Sequence, residues 1–489
     1  MKKLFSLLMI CSLFLFSCSQ DNLLSSNDDS GASYAPVTTR GGLSPKYKQL
    51  GWGIDMTGNY LSFDAVKGPV IDVAKFESAP NQENRIISIP IQRTIVAKYF
   101  YGKNATEYTA DMTSKLDISF GGSDAATRYE GKNPVFTNTI SGSYEKKQSY
   151  SSAYTFVGYD KCITAGKCYF LETNPEILRN YLDDGFLYSL NHNTAQTVVN
   201  EYGTHVILNC TLGGRLSFIY KSMILKSTKE VIAKAGANYS FEKFGVNTNG
   251  SSIDTKLVEQ NLSSSLRVQS FGGTKDISVS WDSKDGTLSS YSTTDWSNSV
   301  TFDTGIITEI KNVIPIYDLV ADPIKRAELK IAVEDYIKKR QLELLEPLYH
   351  GFKSSKYNDT FGAGEVGLKY LEDYKYDIIG VECYVQRVRT EGTIPLYHGF
   401  KSSKYNDNFM AGPEGMQKLK DWGYDIIGIA GYIFAKQIPG TVPLYNGWKK
   451  SKYNNTLGAG DPGLNIFDKY GYRNIGLLGY VYPAETYWQ

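Results

Sequence analysis

The sequence predicts an α+β protein of two globular units, the second β-rich with pseudo-threefold symmetry. Three observations lead there. A β-branched and aromatic stretch at Ile87 to Tyr101 reads as a strand. Asn174-Pro175 and Asp322-Pro323 each pair a capping side chain with proline at the first helical position. A 48-residue unit occurs three times from Pro347 onward.

In chain order, Lys2-Lys3 is a charged start and Leu4 to Phe16 an apolar run too short for a spanning helix. It ends Leu15-Phe16-Ser17-Cys18, which resembles a bacterial lipobox. That implies removal of residues 1–17, lipid on Cys18, and a lipid-anchored, surface-exposed outer-membrane protein that release would make extracellular. A plain secretory leader with an incidental cysteine is the alternative. Residues 18–45 are rich in Ser, Asn, Asp and Gly and read as a flexible tether. No later run of 18 apolar residues exists, so any crossing of a membrane is by a closed β-barrel.

The first unit spans residues 46–344. After the strand at Ile87, a helix opens at Asn174-Pro175, and another at about Thr194 to Tyr202 runs into a strand at Val206 to Tyr220. The helix from Asp322-Pro323 is expected to reach about Leu344, with Ile324, Leu329, Ile331, Val333, Tyr336 and Ile337 as its apolar positions. Cys162 and Cys168 bracket Ala165-Gly166, read as a turn, so a small disulfide loop is expected in an oxidising compartment. Cys210 and Cys383 read as buried thiols.

The second unit, 345–489, divides into repeats at 347–394, 395–442 and 443–489. Pro347 to Asp359 recurs unchanged at Pro395 to Asp407, and a third version runs from Pro443 to Asn455. Each copy is too small to bury its own face, so the three are expected to close one β-prism-like or β-trefoil-like domain.

Composition excludes several functions. Lys+Arg total 52 and Asp+Glu 51, a balance that argues against a nucleic-acid partner. Four His and six Cys in 489 residues argue against a metal site, and nothing points to a cofactor. No nucleophile–base or paired-carboxylate constellation emerges, so the chain does not read as an enzyme.

Tyr202-Gly203-Thr204-His205, followed by Leu212-Gly213-Gly214, resembles the signature of the membrane attack complex/perforin (MACPF) family. Leu50-Gly51-Trp52-Gly53-Ile54-Asp55, Phe271-Gly272-Gly273 and Ile314 to Leu319 resemble further family motifs, in the family's order. The leader makes the likeness closest to bacterial surface lipoproteins of the Bacteroides type. The resemblance implies a bent, twisted central antiparallel sheet flanked by two helical clusters. These clusters unfurl into β-hairpins lining the pore of a homo-oligomeric ring. Gly272 and Gly273 would serve as hinge glycines. His205 reads as a hydrogen-bonded structural residue. Trp52, Ile54 and Val206 depart mildly from the family pattern.

The segments corresponding to those clusters are about Ala105 to Ser152 and Leu225 to Ser270. In the second, Ala233, Ala235, Ala237, Tyr239 and Phe241 alternate with Lys234, Gly236, Asn238 and Ser240, as in a strand with one lipid face and one polar face. Ala233, Ala237, Phe241 and Phe244 also lie on one helix stripe. Val258, Leu262, Leu266 and Val268 share one parity on the returning limb. In the first segment Leu116, Ile118 and Phe120 alternate with polar residues; Phe136, Ile140 and Tyr144 share a parity that Asn138 interrupts. An ordinary amphipathic helix pair fits the same patterns.

The repeats offer Lys356-Tyr357-Asn358, Lys404-Tyr405-Asn406 and Lys452-Tyr453-Asn454 as ligand-binding candidates, since aromatic faces stack on sugars while Lys and Asn supply hydrogen bonds. Tyr349, Tyr397 and Tyr445 read as core more than ligand positions. His350 and His398 become Asn446, which disfavours a threefold metal site. The expectation is a toxin-like or antimicrobial pore former that meets a target membrane lipid or surface glycan through the repeats. The competing expectation is a non-lytic adhesin on the same scaffold.

Overall fold

The computed structural model describes residues 48–484 apart from 59–64, 81–84, 123–150, 227, 247–253 and 341–343. The leader, Cys18 and all of the expected tether lie outside the described residues, as do Phe136, Asn138, Ile140 and Tyr144. The described residues all fall within the compact unit Gly41–Gln489.

Three long antiparallel strands carry the first unit: β1 (Ile86–Gly102), β2 (Tyr154–Phe170) and β3 (His205–Met223), side by side in that order. The far edge of β3 is shared. Its upper half, Arg215 to Met223, pairs with β4 (Leu262–Phe271), which β5 (Ser278–Asp282) covers. Its lower half, His205 to Gly213, pairs with β6 (Ile306–Pro315).

The ladders break register along one line across this sheet, between Pro90 and Thr94 in β1 and between Thr164 and Gly166 in β2. On β3 the line meets Gly213, paired with Thr164. Bulges bend strands, and here the neighbouring backbones also close up. A Cβ on Gly213 would stand 1.9 Å from the Ile163 carbonyl oxygen, and one on Gly272 2.3 Å from that of Gly213. Only glycine fits either place.

Helices cover both faces above the bend. On one, α3 (Lys229–Glu242) sets Ala233, Ala237, Phe241 and Phe244 against Val157, Phe218 and Tyr220 of the sheet. On the other, α1 (Ala105–Ser114), capped by Asn104, packs Tyr108 against Phe100 and Phe156. Below the bend, α2 (Ala195–Tyr202), capped by Thr194, delivers the chain into β3. The closing helix α5 (Pro323–Lys339) is capped by Asp322 and buries Leu329, Val333, Tyr336 and Ile337. It stops at Lys339, short of the expected Leu344, and it exposes Ile324 and Ile331.

Two expectations are corrected. Cys162 and Cys168 do not flank a turn; both lie within β2, and Ala165-Gly166 is a bulge in it. Six residues of extended chain span about 20 Å, far beyond disulfide reach, and both are buried thiols outside any disulfide. The returning limb of the second segment is not helical throughout. Val258 ends a one-turn helix, α4 (Thr255–Val258), while Leu262, Leu266 and Val268 already belong to β4.

The repeats each form a hairpin, a helix and a third strand. They are β7 (Leu345–Lys353), β8 (Asn358–Ala363), α6 (Gly364–Asp373) and β9 (Asp377–Gln386); β10 (Thr393–Lys401), β11 (Asn406–Ala411), α7 (Gly412–Asp421) and β12 (Asp425–Phe434); and β13 (Val442–Lys449), β14 (Asn454–Ala459), α8 (Gly460–Tyr470) and β15 (Arg473–Pro483). Every repeat pairs its own three strands, with short bridges between the third strands, an arrangement of the β-prism kind. Leu348, Leu396 and Leu444 meet in the core with Phe361, Phe409 and Leu457.

A buried ring of asparagine amides and their Asp or Asn partners joins the three repeats. Asn358 Nδ2 donates to Asp407 Oδ2 at 2.6 Å, Asn406 Nδ2 to Asn455 Oδ1 at 3.0 Å, and Asn454 Nδ2 to Asp359 Oδ2 at 2.6 Å. Each Asn carbonyl in turn accepts the backbone N–H of the same partner residue. All three Asn are fully buried. Asn406→Ala leaves buried groups unpaired on Asn455 and Tyr424, so it should destabilise the repeat domain by about 2–4 kcal/mol. The exposed neighbour Lys404→Ala should change stability by less than about 0.5 kcal/mol. Denaturant unfolding of the full chain measures both.

Candidate functional site

The Tyr202–His205 motif is a structural junction. Tyr202 packs edge-on against Phe186 with ring centroids 5.0 Å apart. Gly203 has a φ of 76°, and a Cβ there would sit 2.4 Å from the Ile54 carbonyl carbon. Thr204 Oγ1 accepts from Met56 N and donates to Ile54 O, both at 3.2 Å. His205 is buried, its Nδ1 2.9 Å from Thr204 Oγ1 and its ring edge-on to Phe120. Asp55 accepts the Tyr336 hydroxyl at 2.7 Å, so the short strand Trp52–Ile54, β3 and α5 are tied at one point. Gly214 packs on Trp296 and Val300. Trp296 Nε1 donates to Gly272 O at 2.9 Å, and Gly273 N to Thr304 O. The glycines after β4 are thus held by the loop that follows β5.

The residues proposed to enter a membrane are docked on the sheet. Ala233, Ala237 and Phe241 are buried, Ala235 is half-buried and Tyr239 is 39% exposed, as the helix stripe requires. Phe241 meets Phe218, Tyr159 and Tyr99, and the Tyr99 hydroxyl donates to Asn238 Oδ1. Leu116, Ile118 and Phe120 pack against the main core, with Ser119-Phe120 paired to β6. No helix among the described residues is long and apolar enough to cross a membrane, which says nothing of strands.

In the repeats the three-residue candidates split. Lys356, Lys404 and Lys452 are exposed. Tyr357, Tyr405 and Tyr453 are half-buried in the left-handed region, φ 48°, 48° and 51°. That turn rotates the following Asn inward, and Asn358, Asn406 and Asn454 form the buried ring instead of a ligand surface. Tyr349 is fully buried; Tyr397 and Tyr445 are half-buried. His350 Nε2 lies 2.6 Å from Asp359 Oδ1, and His398 pairs with Asp407 in the same way. In the third copy both partners change together, to Asn446 and Asn455, which hydrogen-bond at 3.1 Å. That joint change is visible in the sequence. Among the described residues no group of three His, Cys, Asp or Glu side chains is placed to hold a metal.

Sequence reasoning missed a polar joint between the two units. Lys229, in the first turn of α3, is 3% exposed and donates to Ser152 O at 2.9 Å. Ser152 Oγ donates to Glu346 Oε2 at 2.5 Å, and Lys103 pairs with Glu365 at 3.3 Å. Ser152, Glu346, Glu365 and Glu107 of α1 line one cavity of about 470 Å³. The start of α1, Ser152 and the start of α3 thus meet β7 and α6 of the first repeat. These groups are distant in sequence, and no local pattern announces them.

Burial lowers the pKa of Lys229 from 10.5 to about 8, against the pull of Glu365, Glu346 and Glu107. The unfolded chain therefore binds more protons between those values, and stability should rise as pH climbs from about 8 to 10.5. The penalty is full below that window and absent above it. Lys229→Met should remove this rise, by up to about 3 kcal/mol, in unfolding measured against pH for both proteins.

The family model described as MAC/Perforin domain matches residues 43–345. No curated protein matches. Among solved structures, a MAC/perforin-domain protein of Bacteroides thetaiotaomicron is 15% identical with a TM-score of 0.45, over 77% of this chain and 73% of that one. GNIP1Aa of Chromobacterium piscinae is 15% identical with a TM-score of 0.44, over 89% and 82%. Suilysin of Streptococcus suis is 10% identical with a TM-score of 0.22, over 47% and 41%. The matched domain takes in β1 to β6, their helices and the Tyr202–His205 junction, well over half of the chain, which belongs to the MAC/perforin family.

Proposed function

We propose that the protein is a lipid-anchored outer-membrane member of this family that forms rings on a target membrane and inserts two β-hairpins per subunit. It acts by perforation, with no catalysis and no cofactor. The anchor places it at the cell surface, where it reaches a neighbouring membrane directly or after release. One observation carries the reading: α3 obeys two periods at once. As a helix it buries Ala233, Ala237 and Phe241 on the sheet. As a strand the same residues join Ala235 and Tyr239 on one apolar face.

The difference between the two faces supplies the test. Tyr239 is exposed in the docked helix but lipid-facing in the strand. Tyr239→Arg should leave the melting temperature of the soluble form nearly unchanged. It should sharply reduce dye release from vesicles of target-cell lipid, because charge at bilayer depth costs about 2–4 kcal/mol. Lys234→Gln, on the lumen parity, should leave release intact. Full release by Tyr239→Arg would remove α3 from the barrel.

A second reading, a non-lytic adhesin, is favoured by the repeated aromatic pairs of the repeat domain, Phe352 with Tyr357 and Trp448 with Tyr453, together with the expected tether. Absence of release from every vesicle, with target cells still bound, would select it. In either case Cys18→Ala should abolish acyl labelling and move the protein to the soluble fraction; unchanged fractionation would refute the anchor.

A further inference from the structure

The repeats meet at seams, and two of these hold cavities related by the pseudo-threefold. Between the second and third repeats a cavity of about 460 Å³ is walled by Trp422, Trp448, Tyr424 and Tyr453. Between the third and first, a cavity of about 330 Å³ is walled by the equivalent Tyr470, Phe352, Tyr472 and Tyr357. Each position differs from its counterpart by one or two periods of 48. In both, two rings stand at right angles as a corner: Trp448 and Tyr453 at 4.9 Å and 83°, Phe352 and Tyr357 at 5.4 Å and 88°. The third wall comes from a helix end. Buried polar side chains form the floor, Asn446 and Asn455 in one, His350 and Asp359 in the other.

We infer that these two seams are sites for a hexopyranose ring of a surface glycan. The volumes and the mixture of aromatic walls with a few polar atoms suit a small ligand, and flat apolar rings match the C–H face of a pyranose while amides meet its hydroxyls. Two other ligand classes fit less well. A phosphate headgroup would need further cations lining both seams, since Lys449 and Lys401 there already donate to the Tyr470 and Trp422 carbonyls at 2.6 Å. Lys418 and Arg473 line the first, but their counterparts are Ile466 and Asp377. A quaternary ammonium would need a vacant aromatic cage, yet Lys449 Nζ already lies 5.3 Å from the Tyr357 ring and 5.5 Å from that of Tyr472, held by the Tyr357 hydroxyl at 2.9 Å. Lys401 stands likewise over Tyr424 and Tyr453. The inference does not depend on hairpin insertion.

The test uses the full-length protein on an array of hexose and N-acetylhexosamine oligosaccharides, without membranes. Vesicles of phosphatidylglycerol and of phosphatidylcholine serve as the contrasting probes. Trp422 and Tyr470 are 44% and 42% exposed, so Trp422→Ala and Tyr470→Ala should keep the parent's melting temperature. Each should lower the array signal at least tenfold, and the double variant should abolish it, since two linked sites bind a repetitive surface together. If either alanine variant melts early, Trp422→Leu and Tyr470→Leu keep the packing and remove the stacking face. Array binding retained by the folded double variant would overturn the inference. So would a parent protein that binds either vesicle but no glycan.

Discussion

A strand of nineteen residues such as β3 cannot bend sharply while keeping side chains along its whole length. The bend needs a place where backbones approach closer than a methyl group allows. That place is Gly213, against the Ile163 carbonyl, with Gly272 against Gly213 itself. Everything above this line depends on it. Because β3 turns there, its far edge changes neighbour from β6 to β4. Because the sheet is bent, α3 and α1 find opposite faces to cover. The chain leaves the sheet after β1 into α1 and after β3 into α3, so the bend sets the face on which each helix lies.

The docked α3 is held from both sides. The aromatic cluster of Phe241 with Phe218 and Tyr159 supplies the apolar contact. Lys229 and its carboxylate neighbours hold the root of α3 to the first repeat. The apolar contact is strong but without direction. The joint is the reverse: a buried ammonium short of its ordinary solvation, kept in place by a few oriented hydrogen bonds.

What the sequence revealed was local. Asn174 and Asp322 cap helices because a cap needs only neighbours a few residues away. The Tyr202–His205 junction was legible because each of its parts touches a fixed piece of backbone. Ala165-Gly166 misled because the same pair serves a turn or a bulge, and only the ladder partners Leu212 and Gly213 decide. The Asn of each Lys-Tyr-Asn misled for a related reason. A polar residue repeated beside a tyrosine looks like a recognition surface, but its partner lies 49 or 95 residues away in another copy. The seams were illegible as pockets because each wall comes from a different repeat.

Pro347 to Asp359 and Pro395 to Asp407 are identical, yet they live in different surroundings. Tyr349 is sealed against the main body and Val381 is 2% exposed, while Tyr397 is half-buried and the counterpart of Val381, Ile429, is 47% exposed. Within those thirteen residues nothing tells the body which copy to accept. The choice falls largely to covalent order: β7 begins six residues after Lys339, so the first copy is offered at far higher effective concentration than the others. A chain delivered N-terminus first can seat that copy before its twins exist. A chain released all at once from denaturant presents three near-equal candidates to one berth, and mis-seated molecules are then kinetic traps of the protein's own symmetry.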